Sequence, residues 1–163
     1  MTDRTQPSPL TATAIAFLFA VVGIAVIVAA FRTLGRPDGD PRWLAVAAGV
    51  IFVLAGAAVY IGFAVAGGAT PDGDLPSGTP FVIRVIQYLL GLAMVSLMTT
   101  IFGWIAFGPG TRSFRITGLG MLGLADGEHA GRIAFGIGTV LMGLFLVLLA
   151  VIGAQRLLRM RQR

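Results

Sequence analysis

The stretch that decides the fold class is residues 10–31, which read LTATAIAFLFAVVGIAVIVAAF. No charged side chain interrupts these 22 residues. An α-helix rises about 1.5 Å per residue, and about 20 apolar residues are enough to cross a hydrocarbon core roughly 30 Å thick. The stretch is also longer than the apolar region of a signal peptide. We therefore expect a retained helix that spans a membrane.

Three further stretches have the same character, namely residues 43–66, 81–107 and 133–154. Only the third contains a charged residue, Arg84, close to its start. The runs are continuously apolar and too long for strands, and helices satisfy every backbone polar group within lipid. The sequence therefore predicts an all-α, integral membrane four-helix bundle that forms a single membrane domain over residues 1–163.

The overall composition supports this class. Hydrophobic residues make up 56% of the chain, charged residues 12%, and the mean hydropathy is +0.90. A soluble domain carries about 25% charged residues, so a soluble monomer is excluded, and disorder requires far lower hydrophobicity. The absence of cysteine and the presence of one histidine exclude disulfides, iron–sulfur clusters, thiolate zinc and a haem held by two histidines.

The segments between the predicted spans are rich in proline, glycine and aspartate. Two of them, residues 36–41 and 70–78, are short and contain the string Pro-Asp-Gly-Asp, which is typical of turns. Short connections predict that consecutive helices are antiparallel neighbours. The longest loop covers residues 108–131, and residues 155–163 form a basic tail.

The orientation of the spans is not decided by counting arginines. All twelve basic residues are arginine, and four crossings place six of them on each side of the membrane. The dense cluster between Arg156 and Arg163 favours an arrangement with both termini in the cytoplasm. The alternative is insertion in both orientations as an antiparallel dimer. Arginine without lysine is typical of GC-rich prokaryotic genomes, so we expect a multi-pass protein of a prokaryotic inner membrane.

A polar stripe at the start of the third span is the main candidate for a functional site. Arg84 lies inside the span, and Gln87 and Tyr88 follow three and four residues later on the same helical face. Ionisable residues within spans are functional candidates by default. The alternative is that Arg84 extends its guanidinium to the nearby interface. No catalytic motif is present, and no catalytic residue is predicted.

An acid–histidine cluster occurs in the third loop, at Asp126, Glu128 and His129. No second histidine and no cysteine is available to complete a zinc site. We therefore predict neither a metal nor a cofactor. A lipid-modifying enzyme that uses these three residues at the membrane interface is a minor alternative.

Small residues are frequent, with 23 glycines in the chain. Ala58, Gly62 and Ala66 share one edge of the second predicted helix, and Ala45 and Gly49 lie above them. Small residues at this spacing allow membrane helices to approach closely. The edge serves either an oligomer or partner interface, or packing within the chain itself.

These features favour a small, non-enzymatic membrane protein that acts as a subunit, assembly factor or stability factor of a membrane system. The alternative is a small oligomeric transporter or channel with Arg84 and Gln87 at its pore. The expected partners are the lipid bilayer and either a second copy or another membrane protein. Nucleic acid is not expected despite a pI of about 11.3, because arginines that flank a span anchor it to anionic headgroups.

Overall fold

The computed structural model describes residues 8–33, 41–65, 75–76, 78–110 and 128–161. Within these residues the chain forms four α-helices and one short π-helix. Their bounds are Pro9–Thr33 (α1), Arg42–Val59 (α2), Tyr60–Val65 (the π-helix), Phe81–Phe107 (α3) and Glu128–Arg161 (α4).

Four helical segments are long and apolar enough to cross a membrane, the second of them running from α2 into the π-helix. These segments are Leu10–Arg32, Arg42–Phe63, Phe81–Phe107 and Gly131–Arg156. The predicted all-α architecture with four helices is thereby confirmed. The third predicted span, residues 81–107, coincides with α3, because proline precedes it and Gly108-Pro109-Gly110 follows it.

The helix α1 begins at a capped end. Ser8 precedes Pro9, and the Ser8 hydroxyl oxygen accepts a hydrogen bond of 3.2 Å from the backbone N–H of Thr11. Serine is a favoured N-cap residue, and proline fits the first helical position because it lacks the N–H that would otherwise be unsatisfied. The local sequence therefore sets where this helix starts.

The pair α1 and α2 is antiparallel and held together through glycines. A Cβ atom on Gly23 would lie 2.6 Å from the Gly49 carbonyl oxygen, and one on Gly49 would lie 2.7 Å from the Gly23 carbonyl oxygen. Further along, a Cβ on Gly56 would lie 2.7 Å from the Ala16 carbonyl oxygen. The two helix backbones are therefore in direct contact, which only small residues permit.

The other neighbouring pairs are also antiparallel, and aromatic rings mark their contacts. Trp43 at the start of α2 meets Trp104 near the end of α3, with ring centroids 5.4 Å apart. Phe102 of α3 meets Phe135 of α4 at 5.5 Å. Both pairs are edge-to-face, the geometry that the ring quadrupoles favour.

The helices contact one another in chain order. The helix α1 packs on α2, α2 on α3, and α3 on α4. Among the described residues, no Cα atom of α1 comes within 8 Å of a Cα atom of α4. Within the described residues, the close contacts therefore follow a row in which α1 and α4 are the ends.

The second predicted span differs from the structure at its end. We predicted one regular helix over residues 43–66, whereas the α-helical part stops at Val59 and continues as the π-helix Tyr60–Val65. A π-helix bonds each carbonyl to the fifth residue onward, so it accommodates one extra residue per turn. A count of apolar residues does not reveal this change of pitch.

The fourth helix is longer than the predicted span of residues 133–154. It begins at Glu128, inside the predicted loop, and continues to Arg161, through most of the predicted basic tail. Arginine, glutamine, leucine and methionine are good helix formers, and cations near a helix C-terminus are favoured by its dipole. The end of the apolar run therefore marks the edge of the membrane, while the helix itself continues.

Side-chain burial follows the pattern of a chain surrounded by lipid. The buried apolar side chains among the described residues are all alanines: Ala12, Ala16, Ala30, Ala47 and Ala106. Large apolar side chains face outward along every helix, for example Phe17 with 70% of its surface exposed. In water such an exposed apolar surface would cause aggregation. In a bilayer it faces acyl chains of the same polarity.

Candidate functional site

The first residue of the predicted polar stripe, Arg84, is turned back toward the start of its own helix. Its Nε donates a hydrogen bond of 3.2 Å to the Thr79 carbonyl oxygen, and a terminal guanidinium nitrogen donates one of 2.8 Å to the Pro76 carbonyl oxygen. The side chain is half-buried. The guanidinium therefore ties the end of the connecting segment to α3.

The second residue, Gln87, points across to α2. Its Nε2 donates a hydrogen bond of 3.3 Å to the Ala58 carbonyl oxygen. Ala58 lies two residues before the start of the π-helix. Neighbouring side chains can satisfy backbone groups where a membrane helix departs from regular bonding. Gln87 donates to α2 close to such a departure.

Gln87 also has a buried polar atom, its Oε1. Among the described residues, nothing donates a hydrogen bond to this oxygen. A buried acceptor without a partner is costly and is uncommon in native structures. Gly62 of the π-helix lies on the same side, where a Cβ atom would be 3.6 Å from the Gln87 Nε2. This oxygen is therefore a buried acceptor that a further hydrogen-bond donor could satisfy.

The third residue, Tyr88, points the other way, to α4. Its hydroxyl donates to the Ala150 carbonyl oxygen at 3.0 Å and lies 3.4 Å from the Leu149 carbonyl oxygen. The ring lies directly over Gly153, so closely that a Cβ atom at this position would overlap it. Tyr88 therefore fixes the position of α4 against α3 near the basic end of α4.

The stripe thus bonds to three different elements. Arg84 holds the segment before α3, Gln87 holds α2, and Tyr88 holds α4. The residues share a face of α3, as predicted, but their polar groups do not converge on a common point. The hydrogen bonds described above for Arg84, Gln87 and Tyr88 all go to backbone carbonyls. The arrangement joins neighbouring helices and leaves the Gln87 Oε1 as a buried acceptor with no donor among the described residues.

Tyr88 gives a direct test of how much the stripe contributes to stability. We expect Tyr88→Phe to lower the free energy of unfolding by about 0.6 kcal/mol, the typical value of a hydrogen bond between membrane helices. Tyr60→Phe is the matched control, because Tyr60 is 46% exposed and should show no measurable change. Unfolding by SDS in mixed micelles measures both. An equal effect of the two substitutions would contradict the role of the Tyr88 hydroxyl.

The opposite end of α3 forms an apolar groove with α4. Its volume is about 490 Å³. The walls are apolar along their length, and Arg132 lies at one end; the lining residues are Ala106, Phe107, Arg132, Ile133, Gly136, Ile137, Val140 and Leu141. The Arg132 guanidinium donates a hydrogen bond to the Gly110 carbonyl oxygen. No sequence pattern indicates this groove, because it depends on how α3 and α4 pack against each other.

Only part of the acid–histidine cluster lies within the residues that the structure describes. His129 lies in the first turn of α4 and is exposed. Asp126 and the Glu128 side chain lie outside what the structure describes. Among the residues that are described, no group of three metal-ligating side chains occurs.

The small residues of α2 are used within the chain. Gly49 contacts the backbone of α1, and Gly62 lies beside Gln87 of α3. Ala66 lies outside the described residues. Of the two interpretations of this edge, packing within the chain accounts for Gly49 and Gly62.

The chain was also compared with known proteins. No protein-family model, no curated protein and no solved structure matches it.

Proposed function

We propose that this chain is a non-enzymatic subunit of a larger membrane assembly, where it supports the assembly or the stability of its partners. The observation that carries the proposal is the row of close contacts among the helices. The edge helices α1 and α4 do not approach one another within the described residues, and both present long apolar faces. A row of this kind has two free edges against which a further membrane helix can pack.

The use of polar groups in the spans also supports this role. Threonines in the spans bond back to their own helices: Thr99 to the Val95 carbonyl oxygen, Thr100 to that of Ser96 and Thr139 to that of Phe135, each at 2.8 Å. Together with the bonds of Arg84, Gln87 and Tyr88, these contacts direct polar groups to the backbone. Such a pattern favours a structural role over the passage of a polar solute.

Site-specific photo-crosslinking from α4 and α1 tests the proposal. A photoreactive residue at Leu148 or Ile24, which are 57% and 55% exposed, is expected to form adducts with another membrane protein in native membranes. The same residue at Ala106, which is 4% exposed, serves as the control and should give none. Adducts confined to lipid at both edge positions, in a chain that mild detergent extracts alone, would contradict the subunit role.

The second candidate function is a small oligomeric transporter or channel, and the buried Gln87 Oε1 favours it. Within the part of the chain that the structure describes, this oxygen has no hydrogen-bond partner. It lies close to the π-helix, and such helices are frequent at functional sites. Reconstitution into liposomes separates the two candidates. Solute flux that the unmodified chain shows, that Gln87→Leu loses and that Tyr60→Phe keeps would favour the transporter. No flux in the unmodified chain would favour the subunit.

We propose that both termini face the cytoplasm. The exposed Arg156 and Arg159 extend α4 beyond its apolar run, and basic residues are retained on the cytoplasmic side. The chain has no cysteine, so Gly78→Cys introduces a single thiol at an exposed position. We expect an impermeant maleimide to label it only after the cells are permeabilised.

A thiol at the opposite end of α3 is the control. Pro109 is exposed, and Pro109→Cys should be labelled in intact cells. Partial labelling of both thiols in intact cells would indicate insertion in two orientations. Labelling of Gly78→Cys alone would place the termini outside.

A further inference from the structure

We propose that the groove between α3 and α4 binds a phospholipid with an anionic headgroup. One acyl chain lies in this apolar groove, and Arg132 holds the phosphate. This inference stands apart from the proposed subunit role, since it concerns the opposite end of α3 from the Arg84 stripe and requires no protein partner.

The shape and polarity of the groove fit an acyl chain. With a volume of about 490 Å³, the groove falls within the range of about 300–1,000 Å³ that is usual for small-molecule sites. It follows α4 from Ile133 to Leu141, which at about 1.5 Å per residue is roughly 12 Å along the membrane normal. Apart from Arg132, its lining residues are apolar. A polar ligand would find no hydrogen-bond partners along this length.

Gly136 forms the floor of the groove, and the Phe107 ring forms one wall. Gly136 has no side chain to fill the space, and a Cβ atom there would lie 3.5 Å from the Phe107 ring. The Phe107 side chain is 72% exposed, so its ring stands out from α3 as one wall. The groove is therefore formed by a glycine opposite a projecting aromatic ring.

The position of Arg132 matches that of a lipid phosphate. The membrane-spanning part of α4 begins at Gly131, and that of α3 ends at Phe107, so both helices reach the membrane boundary at this level. Arg132 is half-buried and hydrogen-bonded to the Gly110 carbonyl oxygen, which restricts where the guanidinium points. The planar guanidinium recognises phosphate through paired N–H donors. The positive charge of Arg132 at the end of an apolar groove therefore favours an anionic amphiphile.

Native mass spectrometry tests the inference by measuring how lipids bind to the purified chain in detergent. Dioleoyl phosphatidylglycerol is the anionic probe and dioleoyl phosphatidylcholine the zwitterionic one. We expect tighter binding of the anionic probe, and about a fivefold loss of its affinity in Arg132→Gln, as is typical of one basic residue near a membrane surface. Gly136→Leu should reduce the binding of both lipids, because its side chain fills the groove.

Two control variants keep the test specific. Arg42→Gln removes the same charge on the same side of the membrane, outside the groove. Gly143→Leu adds the same side chain to α4 where a Cβ atom meets nothing within 4 Å. Both should bind the two lipids as the unmodified chain does, and circular dichroism confirms that each variant is folded. Equal loss of binding in Arg42→Gln and Arg132→Gln, or unchanged binding in Gly136→Leu, would overturn the site.

A photoreactive residue at Ile137 identifies the occupant directly. The expected adduct has the mass of one lipid. An adduct with a second copy of the chain, or with another protein, would show that a helix covers the groove and would overturn the lipid assignment.

Discussion

Replacing Gly23 or Gly49 by alanine is expected to lower the free energy of unfolding by about 2–3 kcal/mol, the upper part of the usual range for overpacking. At each position the added methyl group would come within 2.7 Å of a backbone carbonyl oxygen on the facing helix. A flexible side chain could move aside, but a helix backbone cannot. The two helices must therefore separate, and the contacts along the whole pair weaken together.

Unfolding by SDS in mixed micelles measures this effect, with Gly91→Ala and Gly143→Ala as controls. A Cβ atom on Gly91 or Gly143 meets nothing within 4 Å. Alanine is the better helix former by about 1 kcal/mol in water, so these variants should be as stable as the parent chain or slightly more stable. If Gly23→Ala unfolds at the same SDS fraction as Gly143→Ala, this result would contradict the close contact between α1 and α2.

The second large effect is expected at Gly153. Alanine at this position would overlap the ring of Tyr88, which is held in place by its hydrogen bond to the Ala150 carbonyl oxygen. We expect Gly153→Ala to cost about 1–3 kcal/mol, because the ring must shift or α4 must move away from α3. Loss of the Tyr88 hydrogen bond would accompany either movement.

A double-mutant cycle isolates this contact. In a Tyr88→Ala background the ring is absent, so Gly153→Ala should change the free energy of unfolding by less than about 0.5 kcal/mol. The two substitutions would then show a coupling typical of residues in contact. If Gly153→Ala costs the same with and without the Tyr88 ring, the two effects are additive and the contact is refuted.

The positions of the spans follow from the sequence with little error. The predicted stretch of residues 10–31 lies inside Pro9–Thr33, and the predicted 81–107 coincides with Phe81–Phe107. The reason is that a lipid environment requires a long apolar helix, and proline and glycine mark where it stops. The π-helix Tyr60–Val65 and the extension of α4 to Arg161 were not predicted, since neither changes the apolar pattern.

The positions of the candidate residues along α3 follow from the sequence, and their function stays a prediction. Arg84, Gln87 and Tyr88 do share one face of α3, because helical spacing alone determines which residues lie together. Their partners on the preceding segment, on α2 and on α4 depend on the neighbours of α3. The environment of the Gln87 Oε1, which has no partner among the residues that the structure describes, likewise depends on how α2 approaches, and no sequence pattern indicates it.

The sequence by itself determined that this protein is made of apolar helices, how many there are and where each apolar run lies. Those properties depend on the free energy of placing a single segment in lipid, which each segment carries independently of the others. Only the tertiary structure decided that Gly23 faces Gly49, that the close contacts among the described residues follow a row and that a groove lies beside Arg132. These properties depend on distances between segments. In lipid, where burial of apolar surface does not favour one pairing over another, close packing and hydrogen bonds select the arrangement.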